Sequence, residues 1–200
     1  GASETFTGIP VGTTCTVTEP VSGATDTILV STALPQPVTI EAGTTAEATV
    51  TDTYTFAPGT LVVEKFFTGE AVGNQGAVVL QVVCGTALNT TVTIPAGQTE
   101  TFTTEFADVP AGTVCTVTEP TTGSTTEVTA VPTLPADVTI TAAGSVTSTV
   151  SNDYTFNPGV IAVNKVIAGP AAGQQGDIVL TLTCTSAGTP VLSQTITIPG

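Results

Sequence analysis

The chain has 200 residues and a net charge of −14, with 16 Asp plus Glu against two Lys, no Arg and no His. That balance excludes nucleic-acid binding by phosphate neutralisation and docking onto anionic lipid. The missing His removes the commonest general base and the commonest metal ligand together, so neither a metal nor a cofactor is expected.

Residues 1–57 carry Cys15-Thr16-Val17-Thr18-Glu19-Pro20 and close on Thr51-Asp52-Thr53-Tyr54-Thr55-Phe56. After Pro58-Gly59, short alternating runs punctuated by Gly and Pro predict strands near 61–68, 77–84, 89–94, 99–105, 113–119, 125–131, 137–141 and 146–156. Thr is the most frequent residue, with 20 Gly, 14 Pro and neither Met nor Trp, which also reads as all-β. Seven or eight strands in about 100 residues is the count of an Ig-like sandwich. The Gly-rich loops 69–76 and 169–176 read as hairpin turns and not as phosphate cradles, because no Lys-Ser/Thr and no helix follows them. No apolar run approaches the roughly 20 residues of a membrane span. No basic leader with an apolar core is present, and the chain reads as a piece of a mature protein.

The chain repeats itself. Cys15 to Pro20 recurs as Cys115-Thr116-Val117-Thr118-Glu119-Pro120, Tyr54-Thr55-Phe56 as Tyr154-Thr155-Phe156, Lys65 as Lys165 and Cys84 as Cys184. The stretch Thr93-Ile94-Pro95-Ala96-Gly97-Gln98-Thr99-Glu100-Thr101-Phe102 has no intact second copy, but Thr197-Ile198-Pro199-Gly200 followed by Gly1-Ala2-Ser3-Glu4-Thr5-Phe6 supplies one. The expected organisation is a tandem array: the back part of one module (1–57), a whole module (58–157) and the front part of the next (158–200). Half-modules cannot bury a hydrophobic face alone, so identical copies are the expected partners, joined head to tail. The short junctions Phe56-Ala57-Pro58-Gly59 and Phe156-Asn157-Pro158-Gly159 predict a stiff rod.

Both lysines occupy one place in the repeat. Period-2 alternation in Leu61-Val62-Val63-Glu64-Lys65-Phe66-Phe67 puts Lys65 on a face with Leu61, Val63 and Phe67. An inward lysine is costly unless it is neutral, paired or chemically consumed. The same counting turns Asn152 inward with Val150, Tyr154 and Phe156, and Glu119 inward with Cys115 and Val117. Each whole module thus gathers an amine, a carboxyl and a carboxamide. A buried ion pair, or an edge-strand lysine that guards against aggregation, would also account for the lysine.

With Lys65, the Thr-Val-Thr-Glu ending at Glu119 and the closing Ser-Asn-Asp-Tyr around Asn152, the sequence resembles the Cna B-type domains of Gram-positive surface proteins. It resembles most the Cys-containing relatives in actinobacterial cell-surface repeats. The resemblance implies an intramolecular isopeptide bond between Lys65 and Asn152, with Glu119 moving the protons. It implies tandem Cna B-type sandwiches in an extracellular fibre or stalk. The reaction occurs once per module, so no enzymatic turnover is expected. Burial disfavours the charged forms of an amine and a carboxyl, and fixed proximity lowers the barrier. At the equivalent of Asn152 stands Asp52, which the resemblance allows as electrophile with loss of water. Lys165 would then bond to Asp52 of the next copy, helped by Glu19.

Each period carries two cysteines without metal-like spacing, which reads as disulfides formed outside the cytoplasm, with buried free thiols as the alternative. Cys84–Cys115 would close a loop of about 31 residues, worth roughly 3–4 kcal/mol in the chain-entropy model. Cys184 and Cys15 would make the equivalent bond across the seam between copies. Asn89-Thr90-Thr91 has the glycosylation pattern, frequent by chance in Thr-rich chains. The scattered carboxylates form no dense calcium loop. The leading function is therefore structural. The alternatives are an adhesin module that binds a ligand and a pilin-like subunit assembled by strand complementation. Sortase polymerisation needs a free lysine and a sorting motif, and no Leu-Pro-x-Thr-Gly is present.

Overall fold

In a computed structural model, residues 1–186 and 188–200 are described. The chain falls into two compact units, Gly1–Pro158 and Gly159–Gly200. The strands in chain order are β1 (Thr14–Cys15), β2 (Ile28–Ala33), β3 (Val38–Thr39), β4 (Thr51–Phe56), β5 (Pro58–Thr68), β6 (Val78–Cys84), β7 (Leu88–Ile94), β8 (Phe102–Pro110), β9 (Val114–Thr122), β10 (Val128–Thr133), β11 (Val138–Thr139), β12 (Ser145–Phe156), β13 (Ile178–Ser186) and β14 (Thr189–Ile198). No helix occurs among the described residues. The protein is all-β.

Residues 58–156 form a sandwich of two four-stranded sheets, ordered β10-β12-β5-β8 and β11-β9-β6-β7. The alternation in β5 and β6 explains the layering. Leu61 and Val63 from one sheet, and Val78, Leu80, Val82 and Cys84 from the other, are fully buried between them. Every pairing is antiparallel except β12 with β5, which lie parallel with Val150 opposite Lys65 and Asn152 opposite Phe67. The first and last strands of the sandwich are therefore direct neighbours. That adjacency positions the site.

Three details depart from the sequence expectations. Strand β8 runs to Pro110, where Pro58 faces it, instead of ending near 105. Proline is tolerated there because β8 is a sheet edge and no ladder donor is lost; Pro132 sits in the other edge strand, β10, for the same reason. Phe156 shares the face of Tyr154 but is half-exposed, because β12 outruns the core. The third concerns loop 69–76, which is not a hairpin turn: β5 pairs with β8 and β12, whereas β6 pairs with β7 and β9, so the loop crosses from one sheet to the other. It is pinned against β12 by Ala71 N–H, which donates to Tyr154 O at 3.1 Å. Gly69 has φ +99°, and a Cβ there would overlap the Tyr154 backbone. Gly69→Ala is expected to lower the stability by more than the ~1 kcal/mol typical of a positive-φ glycine, as urea titration would measure.

Within the first unit, residues 1–57 hold only two strand pairs, β1 with β3 and β2 with β4. Their registers reproduce those of β9 with β11 and β10 with β12 at an offset of 100, for example Ile28 opposite Phe56 and Val128 opposite Phe156. The second unit contains β13 paired with β14, the counterpart of β6 with β7. Residues 159–168 correspond to β5 but form no strand, since that unit offers them no ladder partner. The exposures follow. Tyr54 is 54% exposed where Tyr154 is 0%, and Ile161 is 60% exposed where Leu61 is 0%.

Candidate functional site: a buried amine, carboxyl and carboxamide

Strand β5 delivers Lys65 into the sandwich, β9 delivers Glu119 and β12 delivers Asn152. Lys65 and Asn152 are fully buried. The Lys65 Nζ lies 2.9 Å from Glu119 Oε1, with both side chains closed to solvent. Asn152 Nδ2 lies 2.9 Å from that same oxygen. One carboxyl oxygen thus holds both the amine and the amide nitrogen. Asn152 Nδ2 also faces Thr122 O and the Tyr154 hydroxyl, each at 3.0 Å, and Tyr154 donates to Thr122 O at 2.8 Å. The Phe67 ring covers the lysine, 5.7 Å from Nζ, and stacks on Tyr154 with ring centroids 6.2 Å apart.

This environment pushes the Lys65 pKa down. Burial is the larger cause, and the close approach and charge of Glu119 oppose it. A lowered pKa favours the neutral amine, which is the nucleophilic form. The Tyr154 phenol is pushed up, first by burial and further by the Glu119 charge, against the effect of its contact with Asn152. It therefore stays a hydrogen-bond donor. Among the described residues, the buried side-chain atoms without a hydrogen-bond partner are Lys65 Nζ, which lies at ion-pair distance from Glu119, Glu119 Oε2 and Asn152 Oδ1. Each orphaned atom costs about 1–3 kcal/mol. Attack of the amine on the Asn152 carboxamide would turn the first into an amide nitrogen, release ammonia and leave Glu119 as the group that carries the protons.

Asp52 and Glu19, the counterparts of Asn152 and Glu119, also come together, within residues 1–57. Thr32 Oγ1 lies 2.7 Å from Asp52 Oδ1 and 3.0 Å from Glu19 Oε2, and the Tyr54 hydroxyl donates to Asp52 Oδ2 at 3.3 Å and to Ser22 O at 3.0 Å. Desolvation, then the charge and hydrogen-bonding of Asp52, then the charge of Glu19, push the Tyr54 phenol up. Lys165 lies in the second unit and is exposed.

Cys84 and Cys115 face each other across β6 and β9 and form a disulfide. Cys15 and Cys184 are unpaired and half-buried. Reduction of Cys84–Cys115 is expected to cost the sandwich roughly 3–4 kcal/mol, read as the shift in denaturant midpoint with and without reductant. Among the described residues no group of three or more His, Cys, Asp or Glu gathers as a metal site.

Sequence reasoning had not assigned Tyr154, Thr122 O, Tyr54 or Thr32 to these sites. A signal existed for the tyrosines: the chain has only two, both two residues after the electrophile position.

A family model described as a domain of unknown function, DUF5979, matches residues 1–55 and 61–155. The chain belongs to this family. No curated protein matches it. Among solved structures it is similar to a bacterial adhesin from Mobiluncus mulieris containing intramolecular disulfide, isopeptide and ester bond cross-links, with 18% identity over 48% of this chain and 41% of that one and a TM-score of 0.34. It is also similar to the major pilin protein T3.2 from Streptococcus pyogenes, with 15% identity over 66% of this chain and 63% of that one and a TM-score of 0.32. The chain thus spans less than half the length of the adhesin and under two thirds of the pilin. The fold assignment rests on the strand pairing described above and not on these likenesses.

Proposed function

We propose that the chain is a structural repeat of an extracellular bacterial fibre or surface stalk, built of Cna B-type sandwiches that each carry an isopeptide bond and a disulfide. The observation that carries this reading is the sharing of Glu119 Oε1 by Lys65 Nζ and Asn152 Nδ2 in a closed interior, where an unreacted amine is costly. The bond joins β5 to β12, the first and last strands of the sandwich, so tension applied at its ends runs through a covalent link and not through hydrogen bonds. Ala57 supports a stiff succession of modules. It is the single residue between β4 and β5, is buried, and accepts a hydrogen bond from Ala111 N–H at 2.9 Å.

In this reading, residues 158–200 of one copy complete residues 1–57 of the next, either in one long chain or by docking. The support is complementarity. Residues 1–57 hold the counterparts of β9 to β12, and the second unit holds those of β6 and β7. Each leaves exposed the apolar positions that the complete sandwich buries. Lys165 then meets Asp52 and Glu19, and Cys184 meets Cys15. With so few cations the surface repels other anionic surfaces and offers few tryptic sites, which suits a spacer.

Mechanical extension tests the function. When tandem copies are pulled, the segment from Lys65 to Asn152 should stay locked, and Lys65→Ala should release it as extra contour length. Full unravelling of the unmutated sandwich would overturn the reading.

A further inference from the structure

Beyond the electrophile, the two versions of the site differ at Ser22 for Thr122, at Ile167 for Phe67 and at the position opposite the electrophile. Opposite Asp52 in the β2–β4 ladder stands Thr32, and opposite Asn152 in the β10–β12 ladder stands Pro132. The difference has a chemical consequence. Asn152 carries its own protons and reaches Glu119 directly at 2.9 Å. Asp52 and Glu19 share no such contact. They meet through the Thr32 hydroxyl, 2.7 Å from Asp52 Oδ1 and 3.0 Å from Glu19 Oε2. A hydroxyl has one proton to donate and lone pairs to accept with, so Thr32 can take a proton from one carboxyl and hand one to the other. The Thr32 hydroxyl therefore bridges the two carboxyls.

We propose that Thr32 is the proton relay of the aspartate-type site, required where the electrophile is a carboxyl and dispensable where it is a carboxamide. This rests on the seam cross-link proposed above. The Lys165 amine attacks Asp52 Cγ, the N–C bond forms, and the bond from Cγ to Oδ1 breaks. Glu19 takes the proton shed by Nζ, and a proton passes through the Thr32 hydroxyl to Oδ1, which leaves as water. One amine and one carboxylic acid become one amide and one water, with no oxidant or reductant. Oδ2, held by Tyr54, remains as the amide oxygen. Pro132 has no hydroxyl to offer, and Asn152 needs none.

The test uses the full 200-residue chain, incubated and followed over time as multimers that survive denaturant and reductant. Wild type and Thr32→Ser should cross-link at similar rates. Thr32→Val should be slower by roughly a hundredfold, the scale of a lost proton-transfer group. Adding Asp52→Asn to Thr32→Val should restore cross-linking, now with loss of ammonia. Native light scattering on the same samples reads docking separately from chemistry. Cross-linking of Thr32→Val at the wild-type rate overturns the proposal, as does a double variant as slow as Thr32→Val while docking is intact. Absence of covalent multimers from wild type also overturns it. In that case the intact mass of the same sample, through the Lys65–Asn152 bond, tells whether the isopeptide reading falls with it.

Discussion

Replacing Lys65 by alanine should destabilise the eight-stranded sandwich by more than about 4 kcal/mol, measured by denaturant unfolding of the reduced chain. Two effects add in the same direction. Truncation takes from the buried Glu119 carboxyl the nitrogen that faces it at 2.9 Å, and a buried polar group left without its partner costs about 1–3 kcal/mol. It also removes a covalent link that closes the chain from 65 to 152, worth about 4–5 kcal/mol in the chain-entropy model for a loop of that length. A second variant separates them. Lys65→Met with Glu119→Leu removes the orphaned carboxyl and refills the volume, so the part due to Glu119 should return while the cross-link part stays lost. If the double variant recovered wild-type stability, the cross-link would contribute nothing. If Lys65→Ala were nearly neutral, Lys65 would be no more than an exposed strand residue, in conflict with its complete burial.

The second large effect concerns the joint between copies. The 200-residue chain should form multimers that persist in denaturant, because each seam carries two covalent devices, Lys165 with Asp52 and Cys184 with Cys15. Single variants dissect them. In Lys165→Ala the ladder should survive denaturant but collapse on reduction, since only the disulfide remains. In Cys184→Ser it should survive both. With the two substitutions combined, denaturing gels should show the single chain alone. The complete sandwich gives the physical reason: there the same positions are buried and paired, with Cys84 bonded to Cys115 and Lys65 against Glu119. A reductant-resistant ladder from the doubly substituted chain would mean that the copies join by some other chemistry.

Much of the fold and of the site is legible in the sequence. Period-2 counting turns Lys65, Glu119 and Asn152 inward because each shares its strand face with buried apolar residues, Leu61 and Val63, Cys115 and Val117, and Val150 and Tyr154 respectively, and the sheet keeps that parity. The repeat supplied the register, which is why β2 with β4 copies β10 with β12. What alternation does not encode is which sheet a strand joins. Loop 69–76 looked like a hairpin because Gly-rich turns between strands are alike in sequence, and only the pairing of β5 with β12 shows it to be a crossover. Alternation also does not mark where an edge strand stops, and β8 runs on to Pro110 because an edge tolerates proline. Thr32 escaped notice for a different reason. Thr is common throughout the chain, and its part emerges only where one hydroxyl stands between two carboxyls.

The central claim is that the buried amine of each complete sandwich is consumed in an amide. Intact mass of the denatured, fully reduced chain tests it most directly. The account predicts that each chain is lighter than its sequence by one ammonia, with one further water lost at every seam joined in a multimer, and with the ammonia deficit absent from Lys65→Ala and from Asn152→Ala. A wild-type mass equal to that of the unmodified sequence would contradict it.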